Sequence, residues 1–315
     1  MTKPNQVQQG QWCPSCANGG PSKPQLEIFE YVKSLVPGEE VLLSDRTAIG
    51  PLELDIYVPS RRFGFEYDGL LYHSSCFSSD DRPYNPKRHQ KKALACRGAG
   101  VKFFAVFGDE WEWKPDLIKA MIRWRLGVFA GQKLNARDLE LKRLGKNSEY
   151  KEFFGRNHID GHANASFAYG LFLGAKLVLC VSVRRNHAGE LELARLATDY
   201  DFSVRGGVSR LLAAVKQEVQ CPIVSYSNNR LSSGGVYEKL GFIKLAENAP
   251  SYYYTDGKVR IWRYRCKRIN DPEILAKYPT EKAQALGGVF SRMYLGHSRP
   301  LYQIHDYGHQ KFRLG

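Results

Sequence analysis

The sequence predicts an α/β protein built in two units, and three observations predict it. Its 315 residues are too many for one typical domain and ample for two. The first third alternates helix, strand, strand, helix, strand, helix, the order of a small α/β unit. Within it VKFFAVFG, at 101–108, is a continuous apolar run, the mark of a strand buried on both faces.

Residues 1–24 form a polar, Gly- and Pro-rich tail carrying Cys13 and Cys16. From Pro24 the apolar residues Leu26, Phe29, Val32 and Leu35 recur at near-helical spacing, until Pro37 and Gly38 end the helix. In LELDIYVP, Leu52, Leu54, Ile56 and Val58 share one strand face, with Glu53, Asp55 and Tyr57 on the other. After a turn at 60–62, FGFEYDGLLYH reads as the next strand, running from Phe63 through to His73. A loop rich in Ser, Asp and Pro leads to a basic helix, KRHQKKALACRGAG, closed by Gly98 and Gly100. The buried strand follows, and 109–129 closes the unit as a helix.

GQKLNARDLELK, at 131–142, reads as a link to a second unit with long strands at 167–185 and 190–198. A glycine-turned helix (VRGGVSRLLAAVKQE), a strand (PIVSYS) and a short helix (GGVYEKLGF) come next, and a basic, aromatic tail begins near Asn270. The expected boundaries are 1–24 for the cysteine-bearing tail, 25–131 for the first unit and 132–315 for the second.

A formal charge of +14, from 46 Lys+Arg against 32 Asp+Glu, points first to a polyanionic partner, nucleic acid above all. The apolar content of 43% excludes a disordered chain. No apolar run approaches a membrane span, and the N-terminus lacks the apolar core of a secretory signal. Seven scattered cysteines fit a reducing compartment, so a cytoplasmic protein is expected, with no membrane partner. Cys13 and Cys16 stand at zinc-knuckle spacing without a second pair, which leaves Zn²⁺ and two free thiols as the alternatives. Oligomeric state is not legible.

Candidate chemistry concentrates between Glu27 and Glu110. Asp55 and Glu66 lie on successive strands joined by a tight turn, so both meet at one end of a hairpin. Asp68 shares the face of Glu66. His73 ends that strand, Glu27 lies on the helix before it, and His89 and Lys92 stand three apart on one helix face. Carboxylates such as Asp55 and Glu66 can hold the hard cation, Mg²⁺ or Mn²⁺, that polarises a phosphodiester for hydrolysis. A solvated-strand reading of any single acid stays open, but charge in a strand otherwise made of Phe63, Phe65, Leu70 and Leu71 is costly unless used.

LELDIYVPSRRFGFEYDGLLYHS, HQKKALAC and GVKFFAVFGDEW together resemble the PD-(D/E)XK nuclease superfamily, most nearly its very-short-patch-repair-like branch with the EDxHD motif. Phage and intron-associated homing endonucleases belong to that branch. The resemblance covers roughly 20–125. It implies a mixed sheet flanked by helices, a divalent metal at Asp55 and Glu66, and catalytic roles for Glu27, Asp55, Glu66, His73, His89 and Lys92. Asp109, Glu110 and Trp111 match a closing D-E-W. Gln25 stands where the group often has an acid, and Asp68 replaces the lysine after Glu66, passing base duty to His73 or water.

In the second unit VRGGVSRLL and NNRLSSGGVYEKLGF resemble the GNAT-type acyltransferase fold over about 150–255, although a clean R/Q-x-x-G-x-G/A loop is lacking. That resemblance implies acyl-coenzyme A at the Gly206-Gly207 turn, with Tyr237 as acid. The competing reading is a GNAT-like module that docks on DNA.

The leading expectation is therefore a metal-dependent, site-specific endonuclease acting on double-stranded DNA. Phosphate contacts are expected from Arg61, Arg62, Arg88, Lys91, Arg184, Arg185, Arg205, Arg210 and Arg230. A mismatch-nicking enzyme and a GNAT-type acyltransferase or DNA-modifying enzyme with a DNA-binding N-terminal unit are the alternatives.

Overall fold

In the computed structural model the described residues are 20–81, 83–145 and 148–315. Cys13 and Cys16 lie outside them. Helix α1 (Lys23–Leu35) starts where a reciprocal cap forms. Ser22 Oγ accepts from the Gln25 amide, and the Ser22 amide donates to Gln25 Oε1. Its Ile28 and Val32 are buried. Strands β1 (Leu42–Asp45), β2 (Leu54–Val58) and β3 (Phe63–Asp68) pair antiparallel in succession. Helix α2 (Arg88–Gly98) then crosses over to β4 (Lys102–Phe107), which lies parallel to β3.

β1 was not expected, since LLSD is too short to show a period. β3 ends at Asp68, not at His73. Beyond Gly69 the chain coils into a turn in which the His73 amide donates to Gly69 O at 3.0 Å. The closing helix is broken into α3 (Gly108–Trp113) and α4 (Pro115–Leu126), because proline has no amide to carry the ladder onward.

The second part holds β5 (Gln132–Asn135), β6 (Glu140–Leu144), α5 (Ser148–Asn157), β7 (Phe167–Leu173), β8 (Lys176–Arg185) and β9 (Leu191–Thr198). There follow β10 (Phe202–Arg205), α6 (Gly207–Val219), β11 (Ile223–Asn228), α7 (Gly235–Lys239), β12 (Ile243–Asn248), β13 (Tyr252–Thr255) and β14 (Arg260–Trp262). Helices α8 (Pro272–Lys277), α9 (Glu281–Leu286) and α10 (Val289–Leu295) precede β15 (Tyr302–His305) and β16 (His309–Leu314). The main sheet runs β12-β16-β11-β9-β8-β7-β6, beside smaller sheets β10-β5 and β14-β13-β15. β9 and β11 are parallel but pair only at Leu191–Glu192 and Ile223–Val224, beyond which no register joins them. Helix α6 makes the crossover and buries Leu211, Leu212 and Val215 against the sheet.

The expected basic tail is corrected by this topology. β16 sits inside the main sheet between β12 and β11, and buries Gln310, Phe312 and Leu314 in strict alternation. Ile304 and Tyr307 pack with Leu54, Ala105 and Phe107 of the N-terminal sheet. Lys311 and Arg313 fill the intervening positions and mask the period-two pattern. The whole is a mixed α/β protein, and no described helix is long and apolar enough to cross a membrane.

Candidate functional site

Pairing of Ile56 with Phe65 sets Asp55 opposite Glu66 on one sheet face, as the hairpin reading required. Each acid is held by the other strand's backbone. Glu66 Oε1 accepts from the Asp55 amide at 3.0 Å, and Asp55 Oδ2 accepts from the Tyr67 amide at 2.8 Å. Lys92, reaching down from α2, places Nζ 2.5 Å from Glu66 Oε2. Glu66 is buried, and burial pushes its pKa well up, as does the neighbouring Asp55 charge, against the pull of Lys92. Asp55 is raised as well, by burial first, although Gln25 hydrogen-bonds its carboxylate. The oxygens assigned by sequence to a catalytic cation are thus engaged by amides and an ammonium.

Two residues farther along β3, Asp68 meets two imidazoles. Its Oδ1 lies 2.8 Å from His73 Nδ1 and 3.6 Å from His89 Nε2, and the two ring nitrogens are 2.9 Å apart. Tyr307 donates to Asp68 Oδ2 at 2.7 Å, and its ring stacks on His89 with centroids 4.9 Å apart. His89 Nδ1 is 2.7 Å from the His305 carbonyl, a contact that only a protonated nitrogen makes, so its Nε2 carries the lone pair. Burial lowers the His89 pKa to about 4. Burial pushes the Asp68 carboxyl up, but His89 and His73 outweigh it and hold the group below the usual range. The His305 amide in turn donates to Tyr84 Oη, 3.0 Å away. Tyr307 and His305 could not be foreseen, since they stand more than two hundred residues from their partners.

His73 opens onto a cavity of about 820 Å³ that Gln25, Tyr67, Asp109, Lys258 and Tyr302 also line. Glu27 is exposed on α1 with Lys23 3.8 Å away, outside the acid cluster. Asp109 and Glu110 are held by arginines of the second part of the chain. They bind Arg260 and Arg230.

The cations expected on DNA divide. Arg88 and Lys91 are exposed on α2, and Arg205 at the end of β10. Arg61 pairs with Glu39, Arg62 donates to the carbonyl of Gly100, Arg184 pairs with Glu192, and Arg185 donates to Gly189 O. Arg210 donates to the Leu139 and Ala136 carbonyls. Arg230 is 2% exposed and ion-paired with Glu110, so its phosphate contact is corrected to a buried structural role.

Two further concavities flank β9 and β10. Where β9 and β11 part, Leu196, Thr198, Leu231, Met121, Trp124 and His158 line a cavity of about 490 Å³. A second depression, of about 790 Å³, is lined by Asn135, Ala136, Arg137, Arg205, Gly206 and Arg210. It lies at the start of α6, whose N-cap Gly206 takes φ +72°, with no side chain capping the first amides. Tyr237 lines neither. Its ring stacks on Phe312 at 5.0 Å and its hydroxyl accepts from Ser225 Oγ at 3.0 Å.

No family model matches the sequence, and no curated protein matches it. Solved structures do. An acetyltransferase of Bacillus subtilis in complex with CoA is 12% identical, covering 56% of this chain and 97% of its own at a TM-score of 0.32. A GNAT family acetyltransferase of Elizabethkingia anophelis with acetyl-CoA is 15% identical over 40% of this chain and 93% of its own, TM-score 0.30. A putative streptothricin acetyltransferase of Bacillus anthracis with acetyl-CoA is 12% identical over 53% and 69%, TM-score 0.27. The expectations of a DNA endonuclease, homing or mismatch-nicking, and of Mg²⁺ or Mn²⁺ as its cofactor are corrected. The proteins found are acetyltransferases with CoA ligands, and Glu66 and Asp55 are already engaged by Lys92, Gln25 and backbone amides.

Proposed function

We propose that the chain is a GNAT-type acyltransferase that takes its acyl group from an acyl-coenzyme A. One observation carries this reading: the parallel strands β9 and β11 part after two paired residues, beside an uncapped helix start lined by arginines. Amides at a helix start and the positive end of its dipole favour a phosphate. Arg205 and Arg137 add charge there, whereas Arg210 is occupied in holding the Ala136 and Leu139 carbonyls. The unpaired edge of β9 and the apolar walls given by Leu196, Leu231 and Met121 suit a pantetheine arm. A bound acyl-coenzyme A would supply a thioester at that cleft. His158 is the imidazole that lines it. Its Nδ1 accepts from the Asp160 amide at 3.1 Å, which leaves Nε2–H as a hydrogen-bond donor.

The test is thermal unfolding with and without acetyl-CoA, since a ligand that binds only the native state stabilises it by mass action. Saturable stabilisation of the wild type is expected, with affinity at least about 10-fold weaker in Arg205→Glu, where a charge-assisted phosphate contact becomes a repulsion. No stabilisation of the wild type by millimolar acetyl-CoA rejects the proposal. Gly207→Glu is unsuitable, because even a Cβ there would meet Leu179 Cδ2 at 2.5 Å.

Double-stranded DNA is the second partner we propose, on the net charge of +14 and the exposed Arg88 and Lys91 of α2. Each phosphate neutralised adds about 0.9 to the slope of log affinity against log salt. The double variant Arg88→Ala/Lys91→Ala is expected to lower that slope by roughly two, and an unchanged slope places the DNA elsewhere or removes it.

A further inference from the structure

We propose that Asp68, His73 and His89 form a binding site for a first-row transition-metal dication, independent of the acyl-transfer reading. The three donor atoms converge on one point. Asp68 Oδ1, His73 Nδ1 and His89 Nε2 stand 2.8, 2.9 and 3.6 Å from one another, and the three side chains form the metal-competent group found among the described residues. Around an ion with bonds of about 2.0–2.1 Å, ligand atoms lie about 2.9 Å apart at right angles and about 3.4 Å apart at tetrahedral angles. The observed triangle spans that range.

The surroundings orient each ligand. The His305 carbonyl takes His89 Nδ1–H, which turns the Nε2 lone pair inward, and the Tyr307 hydroxyl occupies Asp68 Oδ2 and leaves Oδ1. Outer contacts of this kind fix the tautomer and aim of metal ligands. Asp68 Oδ1 is fully buried, and the His73 Nδ1 proton at 2.8 Å, directed at His89 Nε2, is what it has to face. A cation at the centre of the triangle would take that proton's place and satisfy the carboxylate oxygen and both ring nitrogens at once. His73 lines the 820 Å³ cavity, which gives the ion a route in. Two imidazoles and one carboxylate select ions such as Co²⁺, Ni²⁺ or Zn²⁺ and not hard Mg²⁺, which takes oxygen ligands.

The experiment uses the full chain, stripped with a chelator and titrated with Co²⁺ while visible absorption is followed. One equivalent is expected to bind with ligand-field bands and no sulfur-to-cobalt charge transfer. Binding should weaken at least about 10-fold in His73→Gln and in His89→Gln, and stay unchanged in Cys13→Ser/Cys16→Ser. His73 stands in a turn at the surface of the cavity, so its variant keeps the fold even if the His89 variant does not. X-ray absorption of the Zn²⁺-loaded wild type supplies a readout that needs no variant, with two imidazoles and oxygen in the shell expected. No uptake by the wild type, sulfur in the shell, or wild-type affinity in folded His73→Gln each overturns the site.

Discussion

Glu110→Ala is expected to destabilise the protein by about 3–5 kcal/mol, the cost of stripping a buried ion pair of one partner. Arg230 Nη1 and Nη2 meet the two Glu110 oxygens at 2.8 Å each, and Arg260 Nη2 meets Oε1 at 2.7 Å. Asp109 holds the rest of Arg260 through Nε and the backbone amide. Alanine at 110 therefore leaves one guanidinium without a carboxylate in hydrogen-bond contact and removes a contact from the other. Because Glu110 follows β4 while Arg230 and Arg260 come from the chain beyond β11, the variant should also loosen the two halves from each other. Urea unfolding followed by circular dichroism checks both points, as a lower midpoint and a broader transition. Arg143→Ala is the control. Its partner Glu218 sits at the surface, and an exposed pair contributes at most about 1 kcal/mol. Equal losses in the two variants would show that the buried cluster carries no special weight.

Phe107→Ala should cost as much, about 3–5 kcal/mol. The ring is fully buried at the end of β4 and touches both halves of the chain. The Arg260 guanidinium lies 4.0 Å from its centroid and that of Arg230 5.2 Å, while Tyr253, Tyr307 and His89 surround its edge. Truncation leaves a cavity and removes the ring face from two desolvated cations, each contact being worth roughly 0.5–2 kcal/mol. The upper part of the range is therefore expected. Phe107→Leu, which keeps most of the apolar volume, should lose less, and chemical denaturation of the two variants separates the packing contribution from that of the ring.

Periodicity made much of the local structure legible. The capped helix at 23–35, the alternation of Leu54, Ile56 and Val58, and the apolar run of β4 were read where they stand. Their signals are local, and burial on one face repeats at the period of the element. The pairing of Asp55 with Glu66 also followed, because a short turn fixes hairpin register. What escaped was set by distance along the chain. Tyr307 and His305 complete the imidazole cluster from the far end of the molecule, and nothing near residue 305 marks them. Arg230 read as a surface cation, since its partner Glu110 lies 120 residues upstream. The endonuclease expectation failed on a similar point. Residue types and order suggested a cation between Asp55 and Glu66, whereas Lys92 and the strand amides occupy those oxygens.

Amide hydrogen exchange of the full chain, with and without acetyl-CoA, tests the acyltransferase account most directly. Exchange is expected to slow at the first turn of α6, from Gly207 to Leu211, and along β9 beyond Glu192, where the strand has no partner on the β11 side. Unchanged exchange in both segments at saturating ligand, or protection confined to other parts of the molecule, would contradict it.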